Sequence, residues 1–265
     1  MKKNLNKRAD SDPSRQRSRH RIDVPTSASG TTGPAAVLVS GGVDSAVLCV
    51  DLLREHSKVH PIYVRFGLRW ESVELECLKD FLQAVPSQRP ELAPLTILEE
   101  PISQVYGAHW SNIGERGVPD FKTADEAVYL PGRNVLLAAK AAVWCRLRDI
   151  NILALGTLKG NPFPDSSPTF FKDYEAVLNH AMQGHLRIVR PYERLSKIQV
   201  IGRAAGLPLH LTFSCLDPTE GKHCGVCNKC QERREAFRKA GWLDRTEYVA
   251  SPAAILQNEP QACIE

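Results

Sequence analysis

Ser40-Gly41-Gly42-Val43-Asp44-Ser45 stands between an apolar run and an amphipathic one. Residues 35–39 read as a buried strand, and Ala46, Val47, Val50 and Leu53 recur at helical spacing beyond the loop. The stretch is therefore strand, tight loop, helix. Paired glycines let the backbone turn sharply and approach an anion, while the free N–H groups of the first helical turn point at it. Such a loop binds phosphate. Asp44 would repel a bare phosphate, so a magnesium ion between its carboxylate and a nucleotide accounts for it, and Ser40 and Ser45 add hydroxyl donors. The competing reading is a plain loop in which Asp44 or Ser45 serves as helix N-cap.

Outward from this loop, short apolar strands alternate with helices. The spacing predicts strands at 35–39, 59–64, 95–98, 151–155 and 187–190, and helices at 45–55, 71–84, 134–147, 172–183 and 196–205. Apolar strands separated by helices imply an α/β fold whose parallel sheet is covered on both faces. Ligands of such sheets bind beyond the carboxyl ends of the strands. The 40–45 loop lies at one such end, as do 65–70 and 156–165.

The 265 residues, 43% hydrophobic, suffice for one large domain with a small appendage. No apolar run approaches the roughly 20 residues of a membrane span, and no apolar segment follows the N-terminal charges as in a secretory signal. A cytoplasmic protein without membrane partners is expected. The formal charge of +4 is uneven: residues 1–22 hold eight Lys and Arg against two Asp, leaving about −2 elsewhere. Residues 1–34 carry almost no large apolar side chains and read as a disordered basic tail. The expected organisation is completed by a nucleotide-binding α/β domain at 35–210, a cysteine-rich knuckle with its helix at 211–240 and an extension at 241–265.

Cys215, Cys224, Cys227 and Cys230 form the second strong signal. Two overlapping Cys-x-x-Cys steps turn successive thiolates onto one ion, Gly225 permits the turn, and Cys215 arrives across a loop containing Pro218 and Gly221. Four thiolates in tetrahedral array suit a structural zinc, with an iron–sulfur cluster as the rival. His223 lies beside the ligands, but four sulfurs already satisfy an ion. Cys49 and Cys145 fall in apolar helical stretches and read as core residues. A different class of reading makes the knuckle and the basic helix of Arg233, Arg234, Arg238 and Lys239 a nucleic-acid-binding module. Glu232 and Glu235 interrupt that helix, and nucleic acid is not the expected partner.

The 40–45 loop lacks the lysine of the Gly-x4-Gly-Lys-Ser/Thr motif and resembles instead the SGGxDS pyrophosphatase loop, or PP-loop, of enzymes that split ATP into AMP and pyrophosphate. With Leu-Pro-Gly-Arg-Asn at 130–134, Leu-Ser-Lys at 195–197 and cysteines spaced nine, three and three apart, residues 35–237 resemble the QueC family, the 7-cyano-7-deazaguanine synthases. The resemblance implies a Rossmann-like adenine nucleotide α-hydrolase fold, a zinc site near the active-site rim and, frequently, a homodimer. It also implies an ATP-dependent ligase that adenylates 7-carboxy-7-deazaguanine, takes ammonia to the amide, and adenylates again to reach the nitrile of queuosine biosynthesis. ATP, Mg2+ and Zn2+ are the implied cofactors.

On this resemblance Val39, Ser40, Gly41, Gly42, Val43, Asp44 and Ser45 hold the nucleotide, and Asp44, Arg133 and Lys197 are catalytic. Arg69, Asn134 and Asp165 face the substrate, with Phe66 or Trp70 open to stacking on its ring. Arg133 as a solvated cap and Asp165 as a helix cap are the plain alternatives. Two departures fall at the substrate pocket: Ser166-Ser167 stand where the family has Cys-Arg, and Leu68 and Trp70 replace a glutamine and a histidine around Arg69. A divergent enzyme activating another deazapurine or carboxylate is the alternative they raise.

Overall fold

The computed structural model describes residues 32–85, 92–112 and 117–250. The expected tail at 1–34, apart from its last three residues, lies outside the described residues, as do Cys263 and 251–265 of the extension. Five strands form one sheet: β1 (Ala35–Leu38), β2 (Val59–Arg65), β3 (Thr96–Glu99), β4 (Ile152–Ala154) and β5 (Arg187–Val189). Their order is β3-β2-β1-β4-β5 and every pairing is parallel. The chain winds outward from β1 to β3, returns, and winds outward again through β4 and β5. Between β1 and β4 the winding reverses, and the crevice beyond their carboxyl ends is where open sheets bind ligands.

Strand alternation divides the core. Ala36, Leu38, Ile62, Val64 and Leu153 face one side, while Val37, Val39, Tyr63 and Ala154 face the other. The first side is covered by α4 (Arg133–Arg146) and α5 (Pro168–Met182), through Ala141, Cys145, Phe171 and Leu178. On the second, α1 (Val43–Leu52) contributes Val47 and Leu48. Along the chain, α2 (Glu71–Ala84) and the short α3 (Ser103–Tyr106) precede α4, and α6 (Lys197–Arg203) and α7 (Asn228–Ala240) follow β5. Val200 and Ile201 of α6 meet Leu48, Ala236 and Phe237, so α6 is wedged between α1 and α7. Each such buried aliphatic chain stabilises the fold by about 1.5–3 kcal/mol.

The elements fall within a few residues of their sequence positions, with one informative exception. Helix α5 begins four residues before 172, because the Ser167 hydroxyl accepts from the Phe170 N–H at 3.2 Å and Pro168 occupies the first turn. In α6 a Ser196–Gln199 capping box fixes the start of the helix and so the direction in which Lys197 leaves it. Asp51 of α1 accepts from Tyr192 Oη at 2.6 Å and from Arg203 Nε at 2.8 Å, which ties the far end of α6 to α1.

Candidate functional site

A cavity of about 510 Å3 opens beyond β1 and β4. Val39, Ser40, Gly42, Val43, Asp44 and Ser45 line it from the first loop, and Arg133, Asn134, Asp165, Lys197 and Cys215 line it from elsewhere. Gly41 forms the turn beneath, with φ of +72° and little room for a side chain: a Cβ would lie 3.1 Å from both Cγ and the carbonyl oxygen of Glu74. Gly42 is the N-cap of α1 and no side chain caps the helix. The reading of Asp44 or Ser45 as a cap is therefore set aside. Ser45 Oγ instead accepts from the Ser40 N–H at 3.1 Å and approaches the Gly42 carbonyl at 3.1 Å, bracing the loop. The open first turn leaves partial positive charge at the cavity wall.

Three buried polar atoms of cavity residues have no hydrogen-bond partner among the described residues: Asp44 Oδ1, Arg133 Nε and Thr157 Oγ1. Buried polar atoms are nearly always paired, so three exceptions around one cavity mark a place where a ligand completes the bonding. Asp44 Oδ1 is a buried carboxylate oxygen without a partner, a donor suited to a small hard cation. Burial raises the Asp44 carboxyl above its ordinary range against the pull of Lys197, whose Nζ stands 3.5 Å from Oδ2. A cation would reverse that.

Lys197 is held on its other side by Glu232 of α7, which also takes Lys229 Nζ at 2.6 Å. Burial alone would lower the Lys197 pKa, but Asp44 and Glu232 hold it above the usual lysine range. Burial likewise opposes ionisation of Glu232, yet Lys197 and Lys229 bring its carboxyl down to about 2. Glu74, buried beside the loop and receiving the Tyr63 hydroxyl at 2.6 Å, is pushed up to about 8 by burial.

Asn134 and Asp165 meet each other. Asp165 Oδ2 accepts the Asn134 N–H at 3.0 Å, capping α4 from a distant loop, and the Asn134 amide donates to the Asp165 carbonyl at 3.1 Å. Both still line the cavity. Arg69 does not; it pairs with Asp217 at 2.8 Å. Phe66 is buried beneath the Arg133 guanidinium, 5.8 Å from its ring centre, and Trp70 stacks on Trp110 at the cavity edge. Sequence reasoning missed Glu74, Asp125, Lys229, Glu232 and the stacked rings of Tyr129 and Phe163, all in the cavity wall. Of these only Lys229 sits in a motif, that of the cysteines.

Beside the cavity, the sulfurs of Cys215, Cys224, Cys227 and Cys230 are buried and lie within 4.8 Å of one another. The Cys224–Cys230 and Cys215–Cys227 pairs are 4.0 Å apart, near the ~3.8 Å edge of a tetrahedron with 2.3 Å metal–sulfur bonds. A four-iron cube would spread its cysteines farther, since each binds a separate corner. Backbone N–H groups of Cys224 and Asp217 point at Cys215 Sγ, at 3.2 and 3.3 Å, and that of Leu216 at Cys227 Sγ, at 3.4 Å, favouring thiolates. The donor set fits one four-coordinate metal ion. His223 accepts the Ser214 N–H at 3.1 Å and stands apart from the four sulfurs. Gly225 has φ of +86°, and a Cβ there would meet the Ala250 carbonyl oxygen at 1.8 Å. The seven described cysteines form no disulfide, and burial pushes Cys49 and Cys145 up to about 12, as befits core thiols.

The cations of α7 are used within the fold. Arg233 is buried and donates to Thr212, Thr246 and the Leu209 carbonyl; Arg234 donates to the Gly225 and Ala250 carbonyls. Arg238 and Lys239 pair with Glu235. No helix among the described residues is long and apolar enough to cross a membrane.

The family model described as "Queuosine biosynthesis protein QueC" matches residues 34–241. The chain belongs to the QueC family. It is 31% identical over 225 residues to the 7-cyano-7-deazaguanine synthase of Methanoculleus marisnigri, covering 81% of this chain and 98% of that one. Against the enzyme of the same name from Chlorobaculum tepidum the identity is 28% over 229 residues, 82% of this chain and 97% of that one. The family and the PP-loop α/β fold expected from the sequence are borne out, and the QueC assignment makes the chain an enzyme of an ATP-using family of queuosine biosynthesis.

Proposed function

We propose that this chain is an ATP-dependent carbon–nitrogen ligase that converts 7-carboxy-7-deazaguanine and ammonia to 7-cyano-7-deazaguanine, releasing AMP and pyrophosphate. The observation that carries the reading is the cavity lined by the uncapped α1 terminus, Asp44 with its unpartnered Oδ1, Lys197 and Arg133, in a chain with near full-length relatives of that name. A magnesium ion, with Asp44 Oδ1 as ligand, would neutralise triphosphate charge and polarise the phosphoryl group. The α1 N–H groups and the Ser40 and Ser45 loop cradle the phosphates. Lys197 and Arg133 offset the charge that builds on pyrophosphate as the substrate carboxylate attacks the α-phosphorus.

Ammonia then adds to the acyl carbon, the bond to AMP breaks, and a proton leaves to give the amide. The amide oxygen takes a second adenylyl group with release of pyrophosphate and of one N–H proton, giving an O-adenylated imidate. Loss of AMP and the remaining N–H proton leaves the nitrile. Asn134 and Asp165 are assigned to orienting the heterocycle, and Arg69 reaches it only by giving up Asp217. We assign zinc to the four cysteines, where it closes the knuckle and takes no part in the chemistry. Free thiols accord with a cytoplasmic enzyme.

One observation favours a second reading, adenylation of a different deazapurine or carboxylate. Leu68 and Trp70 are buried in apolar packing, and Ser166 and Ser167 are committed to Asn161, Phe163 and the α5 cap. Mass spectrometry after incubation with ATP, magnesium, an ammonium salt and 7-carboxy-7-deazaguanine separates the two. Nitrile with AMP and pyrophosphate establishes the synthase; binding of ATP without turnover of this acid moves the substrate elsewhere.

A further inference from the structure

Lys229 lies between the third and fourth cysteines of the cluster, yet its side chain lines the ATP-site cavity. Its backbone is fixed on both sides. Cys227 and Cys230 flank it, the Asn228 N–H donates to the Pro119 carbonyl at 2.9 Å, and the Asn228 amide donates to the Thr123 carbonyl at 2.6 Å. Glu232, one turn on, divides its two oxygens, Oε1 to Lys197 and Oε2 to Lys229. The shared carboxylate lets two ammonium groups stand on one wall without driving each other away.

An ammonium carries three N–H donors, and Lys229 spends one on Glu232. Asp125 stands 3.9 Å away, beyond hydrogen-bond reach. Donors therefore remain for the cavity. Asp44, Asp125 and Glu232 against Lys197 and Lys229 sum to one negative charge, and a divalent cation at Asp44 would turn that to one positive. With the cation in place, this wall attracts a polyanion.

We propose that Lys229 is a third anion-binding cation of this cavity beside Lys197 and Arg133, placed by the four-cysteine cluster and steadied by Glu232, and that it contacts the pyrophosphate portion of the bound nucleotide. The inference rests on the nucleotide reading above. It makes the metal cluster a part of the binding site as well as a brace.

The test is calorimetric titration of the metal-loaded full chain with inorganic pyrophosphate and magnesium, for the natural protein and for Lys229→Met, Lys229→Arg and Lys239→Met. Lys239 shares α7 but pairs with Glu235, and it is absent from the cavity wall, so it controls for bulk charge. Lys229→Met should weaken pyrophosphate binding about tenfold to a hundredfold, the loss of one charge-assisted hydrogen bond. Lys229→Arg should restore most of it, and Lys239→Met should change nothing. Unaltered binding by Lys229→Met overturns the inference, as does loss of bound metal in that variant. Lys229-dependent pyrophosphate binding by a protein that makes no nitrile would leave this inference standing and remove the synthase reading; nitrile formation with Lys229-independent binding would do the reverse.

Discussion

The loop after β1 and the four-cysteine cluster border one cavity, with Ser40 and Cys215 both in its wall, yet they treat their polar atoms in opposite ways. At the cluster, backbone N–H groups converge on the sulfurs and the four sit at the spacing of a single tetrahedron. At the loop, Asp44 Oδ1 is buried with no partner and the α1 terminus is uncapped. A ligand that stays for the life of the protein can be built into its folding, with its ligand atoms supported by the backbone. A ligand that leaves after each turnover needs atoms that tolerate its absence, and these carry a standing cost in stability.

The largest expected effect breaks the comparison on the cluster side. Structural zinc binding is worth on the order of 10 kcal/mol or more, as much as the whole stability of many domains. Cys227→Ser should therefore abolish bound metal in elemental analysis and collapse the thermal transition. Cys49→Ala, at a buried thiol far from the cluster in sequence, should leave metal content unchanged and cost only about 1–2 kcal/mol of packing. A full metal complement in Cys227→Ser would mean that the four sulfurs do not act as a set.

On the loop side the sign of the stability effect differs. Asp44→Ala should cut ATP consumption by at least about a hundredfold while leaving the melting temperature unchanged or raised. Burial already disfavours the Asp44 charge, and Lys197 keeps Glu232 as partner when that charge is removed. Loss of stability in Asp44→Ala comparable to that of Cys227→Ser would erase the distinction between the two regions.

How much of this was legible follows from chain separation. The central strands β1 and β2 could be read because both of their faces are buried, making each a largely apolar run, and the cysteines because metal ligands of a knuckle are local. Glu232 reaches Lys197 across 35 residues, and Lys229 was hidden inside a motif already assigned to metal. Only the packing of α6 between α1 and α7 puts them together. Asp165 as a helix cap was readable as an alternative, but its client, the α4 terminus, lies 31 residues away. The early start of α5 had its signal in Ser167-Pro168, which a hydrophobic pattern alone overlooks.

Glu74 sharpens the contrast through pH. Its carboxyl titrates at about 8 in the folded protein against an ordinary 4.5, because burial penalises the charge. The folded state thus holds a proton that the unfolded chain releases. The associated stability is complete below pH 4.5 and is lost as pH rises through about 8, on the order of a few kcal/mol. Glu74→Gln keeps an acceptor for the Tyr63 hydroxyl without the titration, so melting curves of the two proteins should diverge as pH rises from about 4.5 to about 8, in favour of the variant. Parallel curves would show that Glu74 ionises in place.

The smallest effect isolates what the loop requires of its backbone. Gly41 and Gly67 share left-handed φ values of +72° and +78°, so alanine at either meets the same conformational penalty of roughly 1–2 kcal/mol. Around Gly67 nothing lies within 4 Å of an added Cβ, whereas at Gly41 it presses on the backbone and side chain of Glu74. The difference between Gly41→Ala and Gly67→Ala in denaturant melts therefore measures the crowding alone, about 1 kcal/mol. Crowding at Gly41 also pushes the phosphate loop off the Glu74 carbonyl, so ATP turnover should fall in Gly41→Ala and hold in Gly67→Ala. Equal turnover in the two would show that the loop relaxes around a methyl group and that its second role, presenting the α1 N–H groups, does not depend on the close approach to α2.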